Sequence, residues 1–554
     1  MDRNELEESV GGAISVGADA FDPLRMRELV KLLTRPEVLA TETPRLLAEW
    51  AKVVLNLSEI EIPTRDPLYG DRRWRENPVY RRLAQGHLAW TQAVERMTAQ
   101  DDADWESQKR TRYLTDIFTG AVSPANFLLT NPVAVSRALE TGGMSVLRGM
   151  QHFLRDLKDN RGMPSMVDTS PFTVGENLAC TPGAVVYRED IFELLQYNPT
   201  TEQVHRRPLL FVPPELNRHY VLDLAPGRSM VEYAIANGMQ TFMIVWRNPR
   251  EDPSLGHGAW GLDEYLAAHI RAFDIVREIT GAKDLNLVGL CAGGMTSALV
   301  QAHLVTKGTN PVHAATYIVT MLDARKPNGV TMMATPGISG ELTKAATDAK
   351  VYNSKQVAHN FAWMRPKDLV YNYVINDWLL GQDAPAFDVL AWNDDATNLS
   401  AKFSRDTNSM LANRMVVEPG GMTLLGTPID LSQVKSDGFV VAGQRDHITT
   451  WRPCYMTSQL LGGDNQVVIV NSGHIQTFVN APGSSRYKYR IAPAGGPDPD
   501  AWLAKAEEHQ GSWWPDWMEW LRPRSGTRKP APEALGSATY PPQEPAPGTY
   551  VHEK

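Results

Sequence analysis

The run Leu285-Asn-Leu-Val-Gly-Leu290 passes without a spacer into Gly289-Leu290-Cys291-Ala292-Gly293, and Met295–Val305 behind it has helical spacing. An apolar strand that stops on one residue and becomes a helix at once holds that residue in a tight turn. Glycines two positions to either side remove side chains that would collide with strand and helix. The thiol then sits at a helix N-terminus, where the dipole and the free N–H groups favour thiolate and oxyanion. This is a strand–nucleophile–helix elbow with cysteine in place of the usual serine. A cysteine among glycines is also what a small buried residue looks like. Its place at a strand end and the residues downstream favour the nucleophile. Cys180 and Cys454 lack that setting and are read as structural.

Short β-rich runs surround the elbow: Ala184–Arg188, Phe192–Tyr197, Pro208–Val212, Thr241–Trp246, Leu285–Leu290 and Ala314–Met321, then Gly438–Gly443 and Gln466–Val470. Helical candidates Ser229–Ala236, Leu262–Ile279 and Met295–Val305 separate the later ones. Strands alternating with helices predict a mostly parallel sheet covered on both faces. With the elbow, that is an α/β-hydrolase fold, here over residues 181–521. Residues from about 325 to 428 are too many for one crossover and are rich in aromatic and amide side chains, so a lid insertion is expected there. Residues 1–180 read as a mainly helical N-terminal domain, on stripes such as Leu29, Val30, Leu32, Leu33 and Leu46, Leu47, Trp50, which are taken as helix packing. Residues 522–554 read as a Pro-rich tail with little core of its own.

Bulk composition mainly excludes. A net charge of −9 over 554 residues argues against a nucleic-acid-coating role. Three cysteines exclude a disulfide scaffold and fit a reducing compartment. Met1–Val16 is acidic and lacks the basic start and apolar run of a secretory signal. The longest charge-free stretch, Leu285–Thr306, is broken by glycines and polar residues. A cytoplasmic enzyme is expected. None of the 13 histidines stands at metal-ligand spacing with a cysteine, so no metal is expected.

In this fold the acid and the histidine follow the nucleophile in chain order, on loops after later strands. Gly438–Gly443 ends in Gln444-Arg445-Asp446-His447, and Gln466–Val470 ends in Asn471-Ser472-Gly473-His474. Both lie at carboxyl ends of strands, the edge where such sites form. His474 is expected to take the proton from Cys291, and Asp446 to fix the imidazole tautomer. His447 competes, but a residue directly after Asp446 cannot easily turn back to it. An oxyanion hole needs two N–H donors. The amide of Ala292 is one by the logic of the elbow; Val212 is the nearest candidate for the other, since Pro213 and Pro214 have no N–H.

Further short motifs point to a family. Gly175–Ala179, Thr181–Arg188, Leu194–Pro199, Val212-Pro-Pro214, Trp246-Arg-Asn-Pro249, Trp392-Asn393, Ser472–Gln476, Ser123–Asn126, Asn131-Pro132 and Pro547–Val551 together resemble the polyhydroxyalkanoate synthases of single-subunit type. The resemblance runs from about Pro67 to the C-terminus. It implies an acyltransferase that polymerises (R)-3-hydroxyacyl-CoA thioesters into storage polyester and releases CoA, through an acyl group carried on Cys291 with Asp446 and His474. It implies no permanently bound cofactor: the CoA thioester is substrate, CoA the product, and the CoA phosphates require a local basic patch. It also implies a homodimer at the surface of cytoplasmic polyester granules, among granule-associated proteins. Ala292, Val245 and the Asn480-Ala481-Pro482 triplet depart from the family pattern without touching the three catalytic candidates. Gln476 and the chain length resemble synthases for medium-chain monomers, while Asn393–Leu399 reads like the short-chain group; the balance inclines to medium chains over a broad range.

The rival of the same fold is an intracellular polyester depolymerase or thioesterase, which passes the acyl group to water. A rival of another class is a non-catalytic granule-binding protein. Loss of a triad member would favour that last reading, and all three are present.

Overall fold

The structure, a computed structural model, describes residues 30–31, 33–99, 105–160, 162–323, 350–354, 362–363 and 366–554. The chain divides into two units: Met1–Thr169 with Gln356–Phe387, and Ser170–Lys355 with Asp388–Lys554.

The first unit is helical: α1 Pro36–Val54, α2 Pro78–Thr98, α3 Trp105–Ala121 and α4 Met144–Asp159. Asn77 caps α2, its side chain accepting from Val79 N and Tyr80 N, with Pro78 at the first position where a missing N–H costs nothing. Asn131-Pro132 repeats the device at the helix Pro132–Glu140. The core gathers around Ile62, Tyr69 and Trp74, and it includes Val370, Tyr371 and Ile375 from the region expected to form a lid. Two π-helical stretches, Lys367–Tyr371 and Val374–Leu379, pack there. The Trp378 indole donates to Asp156 Oδ2 at 2.9 Å, and Tyr371 OH donates to the Ile117 carbonyl at 3.1 Å. The expected lid therefore does not behave as one piece. Residues 366–387 are built into the helical unit and 388–428 into the sheet unit, while 324–349 lie outside the described residues. Its aromatic and amide composition serves helix packing as well as it would serve a cover.

The second unit holds a ten-stranded sheet. Its strands are β1 Gly183–Arg188, β2 Phe192–Tyr197, β3 Leu209–Val212, β4 Thr241–Trp246, β5 Leu285–Leu290, β6 Val312–Ile318, β7 Asp437–Gly443, β8 Asn465–Val470, β9 Lys488–Pro493 and β10 Glu507–Gln510. The order is β1-β2-β4-β3-β5-β6-β7-β8-β9-β10. The run from β4 to β8 is parallel, and the flanking pairs on both sides are antiparallel. Central strands buried on both faces are mainly apolar, as Phe211, Ile244 and Val288 show. The helices of this unit include α5 Leu262–Thr280, α6 Ala292–Thr306 and α7 Trp451–Leu460. This is the α/β-hydrolase fold that the sequence predicts.

The tail is more integrated than its composition suggests. Arg528–Pro530 pairs antiparallel with Gln203–His205. The fully buried Glu193 carboxylate accepts from Thr549 N and Tyr550 N at 3.1 Å each, from Thr549 Oγ1 at 2.7 Å and from Arg188 Nε at 2.7 Å. Glu553 pairs with Arg247 at 2.8 Å and Arg250 at 2.9 Å, and buried Arg218 donates to the carbonyls of Tyr550 and Glu553. Prolines here set an extended path with little core, and polar docking holds it. Deleting residues 548–554 takes three of Glu193's donors away and is expected to destabilise the fold by roughly 3 kcal/mol, read from the shift in the denaturant midpoint. An unchanged midpoint would show that the docking contributes nothing.

Candidate active site

Cys291 sits between β5 and α6 with φ 52° and ψ −114°, a conformation that a non-glycine residue adopts only when its surroundings enforce it. Its N–H donates to Ile318 O at 2.8 Å, and its carbonyl accepts from Gly294 N and Met295 N at 3.1 Å each. The flanking glycines answer to specific neighbours. A Cβ on Gly289 would meet the backbone of Gly294, and one on Gly293 would run into the carbonyl oxygens of Val212 and Pro213. The half-buried thiol is thus held at the start of α6, where the first N–H groups lack intrahelical acceptors.

Asp446 follows β7 and is almost fully buried. Its Oδ1 accepts from Ile448 N at 2.8 Å and Thr449 N at 3.1 Å. Its Oδ2 accepts from Thr449 Oγ1 at 3.0 Å and lies 2.6 Å from Nδ1 of His474, which follows β8. A carboxylate oxygen accepts, so Nδ1 carries the proton and Nε2 is left for the Cys291 side. Burial opposes charge on this ring, yet the Asp446 carboxylate, helped by the neighbouring Cys291, outweighs it and pushes His474 up to about 10. The structure thus brings Cys291, Asp446 and His474 together from three strand ends.

The two oxyanion candidates lie on either side of the elbow. Ala292 is the first residue of α6. Val212 ends β3 in register with Gly289, and the next carbonyl, of Pro213, accepts from Trp246 Nε1 at 2.9 Å. Cys180 and Cys454 stand apart chemically. Burial pushes both thiols up, with Asp223 adding to it for Cys180 and Asp446 for Cys454. Cys454 is fully buried on α7 and donates to Thr449 O at 3.4 Å.

Sequence reasoning missed Thr449, which contacts both Asp446 and His474. The available signal was a hydroxyl residue three positions after the acid, the spacing at which a carboxylate captures following N–H groups in a turn. Among the described residues, no group of three or more acidic, His or Cys side chains could hold a metal ion, and no helix is long and apolar enough to cross a membrane.

Residues 65–234 match the family described as poly-beta-hydroxybutyrate polymerase (PhaC) N-terminus, and residues 228–481 match the alpha/beta hydrolase fold family. Poly(3-hydroxyalkanoate) polymerase 2 of Ectopseudomonas oleovorans is 42% identical over 95% of this chain and 95% of its own. The chain belongs to the poly(3-hydroxyalkanoate) polymerase family. Polymerase 1 of the same organism is 41% identical over 91% of this chain and 90% of its own, and the polymerase subunit PhaC of Cupriavidus necator is 36% identical over 92% and 86%. Such similarity over nearly the whole length makes this poly(3-hydroxyalkanoate) polymerase family member an acyltransferase on an α/β-hydrolase fold.

Proposed function

We propose that the chain polymerises (R)-3-hydroxyacyl-CoA thioesters into polyhydroxyalkanoate with release of CoA, through an acyl group carried on Cys291. The observation that carries this reading is the 2.6 Å contact of Asp446 Oδ2 with His474 Nδ1, which leaves Nε2 to serve the thiol at the elbow.

His474 takes the Cys291 proton, and the resulting thiolate attacks the monomer's carbonyl carbon. The oxyanion forms against the N–H groups of Ala292 and of Val212 at the end of β3. As the C–S bond to CoA breaks, His474 gives its proton to the leaving sulfur and becomes neutral. It can then take the proton of an incoming 3-hydroxyl, whose oxygen attacks a Cys291 thioester. The ester forms, the thiolate leaves, and the imidazolium is restored. A thioester suits this cycle: exchanging one for another is nearly neutral in free energy, and the acyl enzyme stays reactive toward a hydroxyl. The same reading makes the enzyme a homodimer at the surface of the polyester it produces.

Purified protein given (R)-3-hydroxybutyryl-CoA and, separately, (R)-3-hydroxydecanoyl-CoA should release thiol and deposit insoluble polyester, with faster release from the longer monomer. Thiol release with only free hydroxy acid would make the protein a thioesterase. No release from either would remove the reading.

A further inference from the structure

Next to the elbow lies a buried polar cluster with no place in that cycle. Glu215 follows Pro213-Pro214 in the loop after β3, and its side chain is only 2% exposed. Its Oε1 lies 2.6 Å from Thr296 Oγ1, on the second turn of the helix that begins at the nucleophile. Thr296 Oγ1 lies 3.4 Å from Nε2 of His269, a fully buried ring on α5. His269 Nδ1 lies 2.7 Å from the Tyr265 carbonyl. Glu215 Oε2 is buried and has no partner among the described residues.

The protons in this line can be counted. A carbonyl only accepts, so His269 Nδ1 carries a hydrogen. The Thr296 hydroxyl has one proton to give, with Ala292 O and Gly293 O also within 3.2 Å of it. If Glu215 is a carboxylate, that proton goes to Glu215, and His269 Nε2 faces a bare oxygen unless the ring is protonated too. Then two charges lie in a fully buried site, with one carboxylate oxygen unpartnered. If Glu215 is the acid, its O–H donates to Thr296, and Thr296 donates onward to His269 or to a helix carbonyl. Every group but Oε2 is then satisfied, and no charge is buried.

We propose that Glu215 is a positioning residue held as the neutral acid, sharing one line of protons with Thr296 and His269 that fixes the β3 loop against the nucleophile helix. The role rests on the synthase reading above, because the loop leads off Val212, whose N–H is the second oxyanion donor. Gly293 already lets the Val212 and Pro213 carbonyls close onto α6, and Trp246, packed on His269, holds Pro213 O. Glu215 supplies the remaining tie. Burial pushes its carboxyl up to about 7 and, against the weaker help of the Tyr265 carbonyl, pushes His269 down to about 4, both toward the neutral forms. The titratable groups that face Glu215 are His269 and Tyr265, both on α5. Neither is charged at neutral pH, so the Glu215 charge alone changes as pH rises. Folding favours the protonated acid: its contribution is complete below about 4.5, the ordinary value, and is lost as pH rises through about 7.

The test uses full-length protein, with thiol release from (R)-3-hydroxyacyl-CoA followed against pH. The Glu215→Gln amide donates to Thr296 as the acid does and cannot ionise. It should stay within about threefold of wild type at pH 6 and lose that part of the alkaline decline which wild type shows above about 7. Glu215→Ala and Thr296→Val should each lower kcat by about 10²-fold with KM little changed, and Thr296→Ser should restore it. The infrared difference between wild type and Glu215→Gln should contain a protonated-carboxyl stretch at pH 6, a readout independent of turnover. If Glu215→Gln is as damaged as Glu215→Ala, keeps the wild-type pH profile, or lacks that stretch, the proposal is overturned. If wild type releases no thiol while the stretch is present, the synthase reading fails and the proton line stands.

Discussion

Replacing Cys291 with alanine abolishes thiol release and polymer formation together, a loss on the order of 10⁶-fold that reaches background. The size follows from the elbow. Its φ of 52° and the close approach of Gly289 and Gly293 to their neighbours are tolerated only because they present this one side chain beside His474. Alanine keeps the backbone, so the fold should persist with an unchanged thermal midpoint while the chemistry disappears. Cys180→Ser and Cys454→Ser separate a nucleophile from a general need for thiols. Both thiols are pushed up by burial and stay protonated, so both variants should retain most activity. Trapping the acyl enzyme with radiolabelled substrate locates the acyl-bearing residue directly. Label that survives in Cys291→Ala, or strong loss in either serine variant, would reassign the nucleophile.

Asp446→Asn should cost about 10⁴-fold in kcat/KM, and the hydrogen bonds give the reason. Ile448 N and Thr449 N both point at Oδ1 and can only donate, so the amide of an asparagine keeps its oxygen there. Its NH₂ group then faces His474 Nδ1 and donates to it. The ring is driven into the opposite tautomer, with the proton on Nε2, where it cannot accept one from Cys291 or from a 3-hydroxyl. The carboxylate that outweighs burial is also gone, so the ring falls from about 10 to well below it. Acylation should survive better than chain growth, because a thiol gives up its proton without a base more readily than a 3-hydroxyl does. Wild-type polymer yield would remove Asp446 from the mechanism.

The parts legible in the sequence are those where chemistry and burial coincide. Phe192–Tyr197, Thr241–Trp246 and Leu285–Leu290 were readable residue for residue, because strands buried on both faces are mostly apolar, with Glu193, Gln196, Thr241 and Asn286 as the polar interruptions. The three catalytic candidates were readable because each follows such a strand. β6 shows the limit. It ends at Ile318, three residues short of the predicted end, where Val319 turns to φ 45°. Val319, Met321 and Leu322 stay buried past the strand, so hydrophobicity does not mark the exit. Lys488–Pro493 and Glu507–Gln510, the outermost two strands on that side of the sheet, were missed for the opposite reason: they carry charge, as Lys488, Arg490, Glu507 and Glu508 do, which suits the rim of a sheet and hides the period. Glu215 and Thr296 were illegible because nothing local links a loop residue to a helix residue 81 positions away.

The docking of the tail bears on how the molecule comes into being. Glu193 finds its last N–H donor 357 residues later, and Arg218 reaches a carbonyl 335 residues away. Contacts of such separation cannot form while the ribosome still holds the far partner, and chains dominated by them fold slowly. At the usual pace of synthesis, the 357 residues between Glu193 and that donor take about 20 to 70 s, during which β2 waits for its partner. Docking of the tail is thus a late step in the assembly of the sheet unit, taken after the elements it reaches have been made.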